Sequence, residues 1–148
     1  MMEIRNFHKD DIEELIAFKN ESMRISFPLH AINFNAEKFK TKIMKNAEAY
    51  PGSVRVLVDE GKIAGYIFVV IQKTGLGKCG NIHHLFVRKE HRNKGLAKML
   101  LDDADKFFKS HGVRRIKLTV TLDNSAAIKL YEKSGFKKTR AVMEKILE

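Results

Sequence analysis

A chain of 148 residues, with 44% hydrophobic and 31% charged side chains and only 2 Pro and 9 Gly, has the size and composition of one globular domain. Wholesale disorder, collagen-like repeats and mucin-like stalks are excluded, and the single cysteine, Cys79, excludes an internal disulfide framework and a multi-cysteine metal site. The balance of 28 Lys+Arg against 18 Asp+Glu gives a formal charge of +10, which suits nucleic acid, an anionic membrane or a polyphosphate, and equally a lysine-rich solvated surface.

Residues 2–5 read as a short extended segment. From Asp10 to about Met23 the apolar positions Ile12, Leu15, Ile16 and Met23 recur at helical spacing behind possible Asp caps. Pro28, within Ser26 to Phe34, breaks that helix. A second helical stretch follows Asn35 as cap, aligns Phe39, Ile43, Met44 and Ala47, and stops at Tyr50-Pro51-Gly52. Val54, Val56 and Val58 then alternate with Arg55, Leu57 and Asp59 at strand spacing. Glu60-Gly61 makes a tight connection to Ile63–Ile71, a nearly continuous apolar run suited to a buried central strand. Lys73 to Gly80 reads as a flexible hairpin loop, and Ile82 to Val87 as a fourth strand.

Asn93 to His111 is again helical, with Leu96, Leu100, Ala104, Phe107 and Phe108 toward the core and His111-Gly112 as its end. Ile116, Leu118 and Val120 alternate with Lys117, Thr119 and Thr121 in a fifth strand. A short helix from about Ser125 to Lys133 ends at Ser134-Gly135, and Phe136–Lys138 and Ala141–Ile146 read as brief closing strands. The order β-α-α-β-β-β-α-β-α-β-β places hairpins first and strand–helix–strand crossovers later. It predicts an α/β three-layer or α+β fold and not a doubly wound nucleotide fold.

No repeat, low-complexity tract or Pro/Ser-rich linker divides the sequence, so one domain over residues 1–148 is expected. Met1–Arg5 lacks the parts of a signal peptide, and the longest apolar run, Ile63 to Ile71, is interrupted by Gly65 and too short for a bilayer. The expectation is a cytoplasmic protein with no membrane partner.

The strongest motif lies where the fourth strand meets the third helix, from His84 through Arg92, Asn93, Lys94, Gly95, Leu96 and Ala97. A helix start presents unpaired N–H groups and the positive end of the dipole, so a diphosphate can bind there without any side chain. Gly95 and Ala97 leave the backbone unobstructed, and Asn93 tolerates a left-handed conformation. Alone, a strand-to-helix turn with a glycine is common to many α/β proteins. The second motif runs from Asp123 to Phe136. Asp123 or Asn124 can cap its helix, Ala126 and Ala127 permit tight packing, and Asn124 and Tyr131, seven residues apart, share a helical face. Taken alone, Tyr131 is equally explained as a half-buried core residue.

In this order and spacing the two motifs resemble the GNAT superfamily of acetyl-CoA-dependent N-acetyltransferases. Arg92-Asn93-Lys94-Gly95-Leu96-Ala97 matches the family's Arg/Gln-x-x-Gly-x-Gly/Ala signature, and Asn124 through Phe136 looks like its second motif. The resemblance covers roughly residues 54–146, with agreement in outline before that. It implies a mixed, mostly antiparallel central sheet flanked by helices. It also implies that Leu85, Phe86 and Val87 lie beside an acetyl-pantetheine arm, bonded by their backbone as an added strand would be. Arg92, Asn93, Lys94, Gly95, Leu96, Ala97 and Lys98 would hold the pyrophosphate, Asn124 would contact the arm, and Tyr131 would stand near the sulfur as proton donor. The implied reaction is direct transfer of acetyl from acetyl-CoA to a primary amine of a small molecule or peptide, with no metal and no covalent enzyme intermediate.

The chain departs from the family at the general base. Many relatives place a Glu on the fourth strand, where residues 81–84 here read Asn-Ile-His-His; some that modify ribosomal-protein N-termini carry a Glu on the fifth, where Thr119 stands. His83 or His84 can act as base, directly or through a water. Alternation with Leu85 and Val87 favours His83, a preference that a bulge in the strand would reverse. His83-His84 does not suggest a metal site, since strand neighbours point to opposite faces and no third ligand is evident. Gly75-Leu76-Gly77-Lys78 lacks the glycine spacing and the Ser/Thr of a phosphate loop. Met23 to Phe39, with Phe27, Pro28, His30, Phe34 and Phe39, reads as the acceptor wall. Two other classes stay open: a non-catalytic acyl-CoA sensor, and a basic nucleic-acid-binding module. The scattered lysines and core-periodic aromatics speak against the second. A homodimer also stays open.

Overall fold

The computed structural model of the protein describes residues 1–26 and 34–147. Strand β1 (Met2–Asn6) leads into helix α1 (Ile12–Ser26), then α2 (Ala36–Ala49). Strands β2 (Val54–Asp59), β3 (Lys62–Thr74) and β4 (Gly77–Val87) follow, then α3 (Leu96–Ser110), β5 (Ile116–Lys117) and α4 (Ser125–Lys133). The sheet order is β1-β2-β3-β4-β5, antiparallel except for the parallel β4–β5 pair. The fold is the expected mixed α/β one. No helix among the described residues is long and apolar enough to cross a membrane.

Local chemistry explains most boundaries. Asn35 caps α2 through its Oδ1, which accepts the N–H of Lys38 at 3.0 Å. The α1 region begins instead with a short 3-10 turn at Lys9–Asp11, capped by His8 with Asp11 reciprocating, so the expected Asp cap is a His–Asp box. α3 ends at His111-Gly112, with Gly112 at φ +71°.

The two faces of the sheet carry separate cores. Leu57, Ile67, Val69, Ile82 and Val87 pack with α3 through Leu96, Leu100, Ala104 and Phe108. Val54, Val56, Tyr66, Phe68 and Phe86 pack with α1 and α2 through Leu15, Phe18, Phe39 and Ile43. The Phe18 ring stacks on Phe86 at 4.7 Å and pins α1 over β4.

Three expectations need correction. Lys73 to Gly80 is not a flexible loop: both strands continue through it and turn at Gly75-Leu76, where the Thr74 hydroxyl caps the bend. The fifth strand pairs over Ile116–Lys117 only, not to Val120. The closing strands at Phe136–Lys138 and Ala141–Ile146 are not formed, and Val142, Met143, Ile146 and Leu147 lie exposed. Alternation alone makes no strand: it needs a neighbouring ladder, and a two-residue β5 offers almost none. The Pro28 break lies outside the described residues.

Candidate functional site

The short β4–β5 pairing shapes the site. Gly80 faces Ile116 and Asn81 faces Lys117; beyond these the strands are unpaired, leaving the β4 edge open from Ile82 to Val87. The glycine at the closed end has a steric reason, since a Cβ on Gly80 would meet the Phe108 ring at 2.6 Å. Arg88 donates its N–H to the Ala64 carbonyl across the β3 ladder. Antiparallel alternation therefore turns the backbone groups of Val87 and Leu85 toward the open edge. The Val87 carbonyl is already taken by Arg92 Nε at 2.8 Å, so Leu85 offers the uncommitted N–H and C=O.

The turn after β4 is fixed from its side chains. Arg88 bonds the Ile63 carbonyl through Nε and Glu14 through a terminal nitrogen. His91 pairs with Asp59 at 3.0 Å, and the Arg92 guanidinium lies over the Phe86 ring. With these side chains drawn inward, the main chain faces out. Asn93 (φ +64°) and Gly95 (φ +75°) both adopt the left-handed conformation. From Asn93 to Lys98 no backbone N–H finds a partner among the described residues. These six donors lie together at the positive end of α3 and make a candidate anion cradle. A Cβ on Gly95 would meet nothing within 4 Å, so the cradle is open to a ligand. The residues present thus fit a diphosphate. The Lys98 ammonium is paired with Asp102 at 2.9 Å, one helical turn on, and Lys94 is exposed.

Asn124 is the α4 cap, its Oδ1 accepting the Ala127 N–H at 3.1 Å, which leaves its side-chain NH2 for other contacts. Tyr131 packs against Phe136 and the α3-side core, and burial raises its phenol above the ordinary value, keeping the hydroxyl protonated.

The histidines stand where β4 leaves β5. Phe68 pairs with His84 and Val69 with Ile82, so His83 is the extra residue of a β-bulge. The bulge overturns the opposite-faces expectation. His83 packs on Phe68 at 5.3 Å and His84 on Tyr66 at 5.0 Å, both on the α1/α2 side. Leu85 and Val87 face α3, so alternation with them is no ground for preferring His83. Ring chemistry separates the pair instead. Buried Tyr66, whose phenol is raised well above its ordinary value by burial, shares a hydrogen bond with His84 Nδ1. The other ring nitrogen of His84, Nε2, is buried without a partner among the described residues. Burial, reinforced by Lys42 and Lys19, lowers the His83 pKa to about 4; burial and Lys19 lower that of His84 to about 3. Both rings are neutral at pH 7.

Of the expected acceptor wall, Phe39 is buried, Phe34 packs against it at 5.7 Å, and Met23 is half-buried. Phe27, Pro28 and His30 lie outside the described residues. Cys79 is buried, and no group of three His, Cys, Asp or Glu among the described residues could hold a metal. Sequence reasoning missed Tyr66, Lys19 and Lys42. Two had a signal: a phenol inside a strand apolar on both faces requires a partner, and Lys19 falls on the apolar stripe of α1, four residues after Leu15.

Comparison with known proteins gives concordant results. The family model described as the acetyltransferase (GNAT) family matches residues 13–136. An N-alpha-acetyltransferase of Saccharolobus solfataricus is 28% identical over 94% of this chain and 82% of its own length. A GCN5-related N-acetyltransferase structure from Ralstonia eutropha superposes with a TM-score of 0.78, at 20% identity over 99% of both chains. A predicted acetyltransferase from Clostridium acetobutylicum, solved with acetyl-CoA, gives 0.76 at 20% identity over 99% of this chain and 96% of that one.

Proposed function

The chain is an acyltransferase of the GNAT acetyltransferase family, and on that premise we propose that it transfers acetyl from acetyl-CoA to a primary amine by direct attack. The observation that carries this reading is the run of six unpartnered backbone N–H groups from Asn93 to Lys98, beside an open strand edge. Acetyl-CoA supplies the acetyl group as a thioester: the N–C bond forms as the C–S bond breaks, the amine gives up one proton, and CoA leaves as its thiol.

The protein's own groups have distinct tasks. Asn93, Lys94, Gly95, Leu96, Ala97 and Lys98 bind the diphosphate through main-chain donors, and Arg92 braces that turn. The Leu85 backbone holds the pantetheine arm along the β4 edge, with Phe86 and Val87 fixing the strand on its two cores and the Asn124 amide beside the arm. The Leu85 N–H is also positioned to stabilise negative charge on the reacting carbonyl oxygen. Tyr131 keeps its proton on Oη and offers it to the departing sulfur. His83 is neutral and receives the amine proton, directly or through water. His84 is committed to Tyr66 through Nδ1.

The acceptor is a small molecule or a peptide; the name of the Saccharolobus relative makes a peptide N-terminus one candidate. Neither non-catalytic alternative gains support. A stacking platform for nucleic acid needs exposed aromatics, and among the described residues no Phe or Tyr is exposed. The test is thiol release from acetyl-CoA across a panel of primary amines. Amine-dependent release abolished by obstruction of the Gly95 cradle supports the reading; release that ignores the amine refutes it.

A further inference from the structure

Lys19 and Lys42 approach the histidines from two different helices. Lys19 directly follows Phe18, whose ring stacks on Phe86 of β4, and helical spacing carries it to the inward side of α1, where it is half-buried. Lys42 stands between the buried Phe39 and Ile43 of α2 and reaches solvent. Their charges act on each other and on His83, and that of Lys19 acts on His84. Two ammonium groups, the His83 ring and the unpartnered Nε2 of His84 thus share the corner where α1, packed on α2, meets β4.

Among the described residues no anionic group answers them. Neither lysine has an ion-pair partner among the described residues. No carboxylate is among the charges acting on Lys19, His83 or His84. The sequence from Ser22 to Ala36 contains no Asp or Glu. A half-buried ammonium without a counter-charge is destabilising in the empty protein, and buried charges are normally paired. Here the counter-charge is absent where the acceptor must sit.

We propose that the acceptor is a primary amine that also carries a carboxylate or phosphate group, which Lys19 and Lys42 hold while the amine faces His83. This rests on the acetyl-transfer reading above and narrows its substrate class. A second positive charge on the acceptor would be repelled at this corner, so polyamines are disfavoured.

Two measurements test it. In the first, inorganic phosphate and acetate, as probes, are titrated into the protein while the imidazole NMR signals of His83 and His84 are followed. Both probes should move them, and Lys19→Met, which keeps the buried stem, and Lys42→Gln, an exposed change, should each weaken that binding about 10- to 100-fold, as for loss of a charged hydrogen-bond partner. Signals that stay unmoved by either probe overturn the proposal. In the second, kcat/KM is compared for O-phosphoethanolamine, β-alanine, ethanolamine and 1,4-diaminobutane. The first two should exceed the last two by about tenfold or more, with the gain in KM and lost in either lysine variant; which of the two leads distinguishes phosphate from carboxylate. Amine-dependent release favouring ethanolamine or the diamine overturns the acceptor assignment alone. Phosphate binding at the cluster without amine-dependent thiol release overturns the acetyl-transfer reading, and the assignment with it.

Discussion

Replacing Gly95 by valine separates the conformational role of this glycine from its role in the anion cradle. Beyond its two chain neighbours, no atom of the described residues lies within 4 Å of a Cβ built at Gly95, so no packed neighbour resists the side chain. The cost comes from φ +75°, which a β-branched residue adopts poorly; left-handed backbone costs an L-residue about 1–2 kcal/mol. At about 2–4 °C per kcal/mol for a domain of this size, the ligand-free melting temperature should fall by about 2–8 °C. Acetyl-CoA at about 100 times its Kd stabilises by about 2.7 kcal/mol, which on the same scale raises the parent's melting temperature by about 5–11 °C. In the variant the isopropyl group fills the space over the N–H donors, and that rise should disappear. The assay is a thermal melt of both proteins with and without acetyl-CoA, at a concentration set from the parent's affinity. An equal rise in both proteins would refute the placement of the diphosphate at Asn93–Lys98.

Three further outcomes follow from the same geometry. Tyr131→Phe keeps the ring that packs on Phe136, so acetyl-CoA affinity should hold while kcat falls toward the ~10²–10⁴-fold typical of general-acid loss; unchanged single-turnover rates would return Tyr131 to a packing role. Because the folded pKa values of His83 and His84 lie at about 4 and about 3, below the ordinary 6.5, the unfolded chain binds more protons between these limits. Their contribution is therefore complete above pH 6.5 and lost as pH falls toward 4, at up to about 1.4 kcal/mol per pH unit for the more buried His84. Urea melts at pH 7, 5.5 and 4.5 read this, and a His84→Gln protein with the parent's slope would contradict it. In kinetics, His83→Gln should lower kcat/KM about 10²-fold or more, while the rise from pH 6 to 9, which belongs to the acceptor amine, stays in place. A parental inflection near pH 6.5 that vanishes in this variant would show a solvated histidine instead.

Features written into a few neighbouring residues were legible from the sequence alone: the Asn35 cap, the α4 boundaries, the Gly112 stop, and the cradle at Gly95 with Asn93 as its second left-handed residue. Backbone conformation and helix-end polarity are local properties, so the left-handed turn and the helix start at Gly95 could be named before the fold was known. The base and the acceptor pocket could not. A bulge exists only relative to the strand it is paired with, and the one at His83 depends on the β3 register from Phe68 to Val69. That register brings both imidazoles to the α1/α2 face, puts His84 against Tyr66, and exposes both to the charge of Lys19. The closing strands show the same dependence in reverse: the apolar residues of Ala141–Ile146 are present, but without a ladder beside them no strand forms. Local sequence determined the left-handed turn and the unpaired N–H groups at the start of α3; only the pairing of distant strands and the packing of α1 and α2 on them decided which groups surround His83 and His84.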